Sequence, residues 1–170
     1  MYRPFDEMPD SARLWVYQAN RALSEPERAS LENNLAHLCE TWMAHGAPLK
    51  TSFRIEHNRF VILAVDERDA GASGCSIDGS VRLLKDIGQR LEVDFFDRQL
   101  VAFLVGEQVM AYPMIRLKTL FDEGILKADA VSFNNAVSSK AEWAKSWRVA
   151  ANQSWLSRYL PKPAGVTGNS

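Results

Sequence analysis

The stretch Arg59–Arg82, RFVILAVDERDAGASGCSIDGSVR, decides the fold that the sequence predicts. Its apolar run Phe60–Val65 is typical of a strand that is buried on both faces of a sheet. The carboxylates of Asp66 and Glu67 follow this run, and glycines with small polar residues fill much of positions 71–80. An amphipathic segment comes next, so the stretch predicts a buried strand, a loop and a helix in that order.

Two helices are predicted from apolar residues at helical spacing. Ser24 and Glu27 form a capping box that opens the first helix, which we expect over residues 25–44, with Gly46 just beyond its end. The second helix is expected to begin at residue 77 or 78 and to end at residue 89. The apolar positions are Leu31, Leu35, Leu38 and Trp42 in the first helix and Val81, Leu84, Ile87 and Leu91 in the second.

Five strand segments surround these helices, and the Gly106-Glu107 link predicts a type II′ hairpin between the last two. In order, the segments give β-α-β-β-α-β with one added hairpin strand, which is the order of a ferredoxin-like split βαβ. We therefore predict an α+β fold with a largely antiparallel sheet, helices on one face and extra C-terminal helices. The predicted strands cover residues 14–19, 52–56, 60–65, 100–105 and 108–112, and one more short strand is expected over residues 131–137. The extra helices cover residues 114–123 and a segment that opens at Ser139.

The size and composition of the chain predict one soluble domain. The length of 170 residues and a hydrophobic content of 46% are enough for a single α+β domain over residues 1–160, with a flexible tail over residues 161–170. Cys39 and Cys75 give no disulfide framework, and the N-terminal MYRPFDEMPDS has no apolar core of a secretory signal. We therefore expect a cytoplasmic protein with reduced thiols.

The charge pattern disfavours two classes of partner. The chain carries 20 basic and 21 acidic residues, for a net charge of -1, and has no long run of Lys and Arg. Binders of nucleic acid or of a membrane surface usually carry a basic stripe, so we expect neither partner, and no apolar run approaches the roughly 20 residues of a membrane span. A small molecule or an anion is the expected partner. The alternative is a non-catalytic structural or interaction module, a homodimer through the hairpin at residues 100–112.

The segment from Gly74 to Ser80, GCSIDGS, has the outline of a phosphate-binding loop between a strand and a helix. A Walker loop needs a Lys between its second Gly and its Ser or Thr, and none stands there. Asp78 would also repel a triphosphate. Nucleotide hydrolysis at this segment is therefore disfavoured.

Cys75 is a candidate catalytic nucleophile, because backbone N–H groups near a helix start favour a thiolate. A nucleophilic thiol usually needs a base, for which His45 and His57 are the candidate imidazoles and Asp66 a candidate carboxylate. The carboxylates close to Cys75 in sequence would instead raise the pKa of the thiol. The alternative is that Cys75 packs the loop as a small buried residue, as most free cysteines do.

A ligand pocket at the loop and the helix start is the leading functional hypothesis. Unpaired N–H groups and the positive end of the helix macrodipole attract an anion there, and Asp78 or Ser76 would cap the helix. No residue pair has the spacing of a structural zinc site, so no metal is expected, and the sequence names no cofactor. The predicted ligand-binding residues are Ser73, Gly74, Ser76, Asp78 and Glu67, and the candidate catalytic residues are Cys75, His45 and Asp66.

Seven segments of the chain carry a resemblance to known proteins: WVYQANRAL, WMAHGAPL, RFVILAVDE, ASGCSIDGSV, VDFFDR, VSFNNAV and SWLSRYL. Through them, from about Leu14 to Tyr159, the chain resembles a family of small soluble bacterial proteins. Some members of that family are labelled ABC transporter ATPase, a label that the incomplete Walker pattern here does not support. The resemblance implies no reaction and no catalytic residues, and it marks AHG, VDE and SGCSID as characteristic segments.

Overall fold

A computed structural model describes residues 1–68 and 74–162, and of residues 74–76 it describes the backbone alone. Its contacts divide the chain into two compact units. Unit 1 comprises Met1–Asp97 and Asn135–Trp147, and unit 2 comprises Arg98–Asn134 and the chain from Arg148 onward. Helices and antiparallel sheets occur together, which confirms the predicted mixture of α and β structure.

The described chain forms the following strands and α-helices. The strands are β1 (Arg13–Gln18), β2 (Met43–Ala44), β3 (Ala47–Pro48), β4 (Lys50–Glu56), β5 (Phe60–Asp66), β6 (Leu100–Val105), β7 (Gln108–Pro113), β8 (Val131–Phe133) and β9 (Arg148–Ala150). The α-helices are α1 (Glu25–Thr41), α2 (Gly74–Leu91), α3 (Leu117–Asp122) and α4 (Lys140–Ser146).

Unit 1 is built on β5, which is buried along its whole length. β5 lies between β1 and β4 and pairs antiparallel with both, so all of its ladder hydrogen bonds are made inside the sheet. Residues from α1 and α2 pack together with Val61, Leu63 and Val65 on one face of this sheet. Ile62 and Ala64 point to the other face, where they pack with residues of the N-terminal segment.

The predicted ferredoxin-like sheet is not confirmed. The order β1-β5-β4, with α1 between β1 and β4, contains three of the strands that this sheet requires. The fourth, β6, pairs instead with β7 and β8 in unit 2. The outer edge of β1 is engaged elsewhere in unit 1, because Arg13 bridges Ser139 and the amide of Leu14 donates to the carbonyl of Ser138 at 3.0 Å.

The predicted end of the first helix is wrong. α1 has the predicted capping box at Ser24 and Glu27, but it ends at Thr41 instead of residue 44. The chain then forms the β2–β3 hairpin, whose turn residues His45 and Gly46 have φ of 52° and 77°. Positive φ at both central residues is what a type I′ turn requires, so Gly46 serves this turn and not the helix end.

α2 begins at Gly74, three residues before the earliest predicted start, and it ends at Leu91. Asp78 is its fifth residue and Ser76 its third, so neither caps the helix, as the sequence predicted that one of them would. The amides of residues 78–80 lie beyond the first four helical positions and are used by the helix itself. Residues 74–80, for which the sequence analysis considered and disfavoured a phosphate loop, are therefore helical.

Unit 2 consists of a four-stranded antiparallel sheet in the order β7-β6-β8-β9, with α3 packed on it. β6 and β7 form the predicted hairpin, and φ of 63° at Gly106 fits the type II′ turn. The other C-terminal predictions hold in part: residues 114–116 form a 3₁₀ turn before α3, β8 is shorter than the predicted strand 131–137, and Ser139 caps α4. β9 was not predicted.

A single domain over residues 1–160 stays a prediction, because compactness alone does not say whether two units unfold together. The predicted tail lies outside the described residues from position 163 onward. Among the helices of the described chain, none has the length and apolar character needed to cross a membrane.

Candidate functional site

One end of the unit 1 sheet gathers most of the predicted site. The register pairs Arg13 with Val65 and Lys50 with Asp66, so β1 and β4 begin where β5 ends. α1 also ends there, the β2–β3 hairpin with His45 precedes β4, and α2 is the next described element after β5. The strand order therefore brings the chain segments of His45, Asp66 and Cys75 to the same end of the sheet.

The Asp66 side chain does not face the helices. Side chains alternate along a strand, so Asp66 shares the face of Ile62 and Ala64, whereas Val65 faces α1 and α2. Cys75 belongs to the first turn of α2. The carboxylate of Asp66 therefore lies on the face of the sheet opposite to the one on which Leu84 and Ile87 of α2 pack. Its catalytic role beside Cys75 stays a prediction, because the Cys75 side chain lies outside the described residues.

Asp66 is instead held by Arg68. Its side chain is 4% exposed, and both of its carboxylate oxygens accept hydrogen bonds from the Arg68 guanidinium, at 2.8 to 3.2 Å. The backbone amide of Arg68 also donates to Oδ1, at 3.1 Å. These hydrogen bonds hold the pKa of the Asp66 carboxyl below its usual value against the opposing effect of burial. The side chain is therefore an ionised acceptor at neutral pH and not a general acid.

A charged cleft of about 220 Å³ opens beside Asp66. The N-terminal segment forms one wall, because the amide of Arg3 donates to the carbonyl of Thr51 at 2.8 Å and Met8 is buried against the sheet. The start of β4 and the end of β5 form the other. The charged cleft is lined by Arg3, Glu7, Met8, Pro9, Lys50, Asp66 and Arg68.

The charges of this cleft do not balance. Three basic side chains, those of Arg3, Lys50 and Arg68, face the carboxylates of Glu7 and Asp66. Arg68 and Asp66 neutralise each other through their paired hydrogen bonds. Arg3 and Lys50 together outnumber Glu7, so the lining as a whole carries an excess of one positive charge. A concave site with excess charge of one sign attracts ligands of the other sign.

Glu67, a predicted ligand-binding residue, lies on the surface. It is exposed and accepts a hydrogen bond from Arg13 at 3.4 Å. Ion pairs of this kind contribute little, because solvent and salt screen them. Glu67 does not belong to the lining of the charged cleft.

The remaining predicted residues divide between described and undescribed positions. His45 is exposed in the β2–β3 turn, and Asp78 is exposed on α2. Ser73 and the side chains of Gly74, Cys75 and Ser76 lie outside the described residues, so the structure places only the backbone of the last three, in the first turn of α2.

His57, the second candidate base, lies at the far end of the sheet. It stands in the turn before β5, whereas α2 begins beyond the other end of that strand. A seven-residue strand spans about 20 Å, which is too far for a hydrogen bond to a thiol at Cys75. The ring of His57 contacts Phe60 and Trp147, with centroid separations of 6.3 and 6.4 Å.

Cys39 is an inert thiol. It is fully buried on α1, and burial raises the pKa of its thiol to about 11. Within residues 1–68 and 74–162, His, Cys, Asp and Glu side chains form no group of three or more that could hold a metal.

The sequence found one residue of the charged cleft, Asp66, and missed its basic side chains. Arg3, Lys50 and Arg68 come from three separate segments, so they leave no basic run in the sequence. The register of β4 against β5 is the signal that could have placed Lys50 beside Asp66.

Comparison with known proteins assigns no family to this fold and site. No protein-family model matches the sequence, and neither a curated protein nor a solved structure matches the chain.

Proposed function

We propose that unit 1 is a binding module for a small anion, a carboxylate or phosphate group held in the charged cleft. The observation that carries the proposal is the convergence of Arg3, Lys50 and Arg68 around a buried carboxylate that Arg68 already neutralises. Because Asp66 is held as an ionised acceptor, the site favours binding over proton transfer. A volume of about 220 Å³ suits a small anionic group with a few waters.

Titration with sodium phosphate and sodium acetate, followed by backbone amide shifts at constant ionic strength, tests this proposal. We expect the shifts to centre on residues 3–9, 50 and 66–68. Arg3→Gln and Lys50→Gln should each weaken binding about 3- to 10-fold, which corresponds to roughly 0.7–1.4 kcal/mol. Asp66→Asn should strengthen it, because the change removes a negative charge from the cleft.

Lys118→Gln is the matched control. Lys118 is exposed in unit 2 and pairs with Asp122 at 2.7 Å, so this variant changes the net charge by the same amount far from the charged cleft in sequence. If Lys118→Gln weakens binding as much as Lys50→Gln does, the effect is one of overall charge and the proposal fails. It fails also if neither anion shifts these amides at about 10 mM, where even weak binding is detected.

The second candidate function is an enzyme that uses Cys75 as a thiol nucleophile with His45 as its base. The topology supports it, because the β2–β3 hairpin and the start of α2 lie at the same end of the sheet and α2 contacts β2. The thiol reactivity of the native protein tests it at pH 7. Cys39 is buried with a raised pKa, so rapid labelling would report on Cys75.

His45→Ala should slow that labelling at least several-fold if the imidazole assists the thiol. Cys39→Ser should leave the fast phase unchanged and so identifies the reacting residue. A native protein that labels no faster than a free thiol with a pKa of about 8.5 refutes the enzyme hypothesis.

A further inference from the structure

A second cleft, the α2 cleft, opens on unit 1 and encloses about 470 Å³. The last two turns of α2 form one wall, and the segment Glu92–Phe96 folds back along the helix to form the other. This volume lies within the usual range of small-molecule sites. The α2 cleft is lined by Asn20, Leu84, Lys85, Gly88, Gln89, Glu92, Val93, Asp94, Phe95 and Phe96.

The wall formed by Glu92–Phe96 is fixed before any ligand arrives. The amide of Val93 donates to the carbonyl of Gly88 at 2.9 Å, which ties the segment to α2. Asn20 and Asp94 exchange two hydrogen bonds, each of 2.9 Å, and the amide of Phe96 donates to Asp94 Oδ1 at 2.8 Å. A preformed wall reduces the conformational entropy that binding must offset.

The floor of the α2 cleft is apolar. Leu84, Val93 and Phe95 are each at most 5% exposed, and Phe96 is half-buried against the edge of Tyr17, at a centroid separation of 5.6 Å. The face of the Phe96 ring already receives one cation, because Lys85 Nζ lies 5.5 Å from its centroid. This lining fits a ligand with an apolar body.

The charged rim of the α2 cleft is negative. The exposed carboxylates of Glu92 and Asp94 face one cation, Lys85. Arg21 lies near Glu92, but its guanidinium is held by both carboxylate oxygens of Glu27, at 2.7 and 2.9 Å. The rim therefore keeps an excess of one negative charge, opposite in sign to that of the charged cleft.

From this geometry we propose that the α2 cleft binds a small organic cation, a protonated amine carried on an apolar body. The body lies on Phe95 and Phe96, and the ammonium group is bound by the carboxylates of Glu92 and Asp94. An anion is disfavoured here, because the same two carboxylates would repel it. The site is separate from the anion site, since the two clefts share no lining residue.

The test uses three probes of one shape: 3-phenylpropylamine, 3-phenylpropanol and 3-phenylpropanoate. Backbone amide shifts of Gly88 and residues 92–96 report binding. We expect the amine to bind at least about 3-fold more tightly than the alcohol and the carboxylate to bind most weakly. Binding of the alcohol or the carboxylate as tightly as the amine overturns the proposal, and so does the absence of shifts at these amides at about 10 mM amine.

Two variants assign the charge effect. Glu92→Gln should weaken amine binding about 3- to 10-fold, and Lys85→Gln should strengthen it, because each changes the rim by one charge. Glu123→Gln, at an exposed position of unit 2, is the matched control and should leave the affinity unchanged. Equal losses in Glu92→Gln and Glu123→Gln overturn the assignment, as does an unchanged affinity in Lys85→Gln. Asp94 is left intact because its side chain holds the wall.

Discussion

Alanine at Gly79 and at Gly88 should change the stability of the protein in opposite directions, although both residues lie on α2. Among the residues that the structure describes, none would lie within 4 Å of a Cβ at Gly79. A Cβ at Gly88 would collide with the backbone carbonyl oxygen of Val93, which is closer than real Cβ contacts allow. The same substitution therefore adds helix propensity at both sites and a steric conflict at one.

The magnitudes follow from these surroundings. Replacing Gly by Ala inside a helix gains about 0.8–1 kcal/mol, so Gly79→Ala should raise the free energy of unfolding by up to about 1 kcal/mol. At Gly88 the same gain is outweighed, because the wall at Val93 must move. Overpacking costs about 1–3 kcal/mol and the lost hydrogen bond from Val93 about 0.5–1.5 kcal/mol, which leaves a net loss of about 0.5–3.5 kcal/mol.

Urea unfolding followed by tryptophan fluorescence measures both effects, and circular dichroism gives the melting temperatures. We expect the Tm of Gly79→Ala to rise by about 2–4 °C and that of Gly88→Ala to fall by several degrees. A Gly88→Ala variant as stable as the wild type would refute the tight docking of the Val93 segment. A Gly79→Ala variant that loses stability would refute the open surroundings of Gly79.

Three further predictions concern acidity, thiol burial and cooperativity. The folded state lowers the pKa of Asp66, so its stabilisation is present above about pH 4 and is lost as the pH falls through the lowered pKa. Asp66→Asn should cost about 1–2 kcal/mol at pH 7 and progressively less as the pH falls below about 4, by urea titration. Cys39 should react with thiol reagents at pH 8 only as the protein unfolds. Mass spectrometry measures its labelling rate at increasing urea concentrations, and fast labelling without urea would contradict its burial. Leu35→Ala in unit 1 and Leu117→Ala in unit 2 should each cost about 2–5 kcal/mol. If residues 1–160 are one domain, each variant should shift the whole unfolding transition, whether it is followed by circular dichroism or by tryptophan fluorescence.

The elements that the sequence predicted well depend on local signals. Ser24 and Glu27 cap α1 because the box is completed within four residues, and the amide of Ser24 donates to Glu27 at 2.8 Å as expected. The burial of β5 was predicted from its unbroken apolar run. The turn at Gly106 was predicted because few residues other than glycine adopt the positive φ that this turn requires.

The parts that the sequence did not predict depend on distant pairing. Apolar patterning identified β6 as a strand, but it does not say whether β6 pairs with β1 or with β8. In the structure Ser138 and Ser139 bond to the free edge of β1, and β6 pairs with β8. The early start of α2 was missed because Gly and Ser have weak helix propensity. The charged cleft could not be foreseen, because its basic residues meet only through the register of the sheet.

The bridge between Arg13 and Ser139 has a consequence for the order in which the protein can fold during synthesis. The last segment of unit 1 is residues 135–147. The residues that bond to the outer edge of β1, around Ser139, are therefore synthesised about 120 residues after β1 itself. At roughly 5–20 residues per second this delay is about 6–25 seconds. During it, the outer edge of β1 stays open to pairing with other chains, so aggregation should depend on the rate of translation between residues 98 and 139.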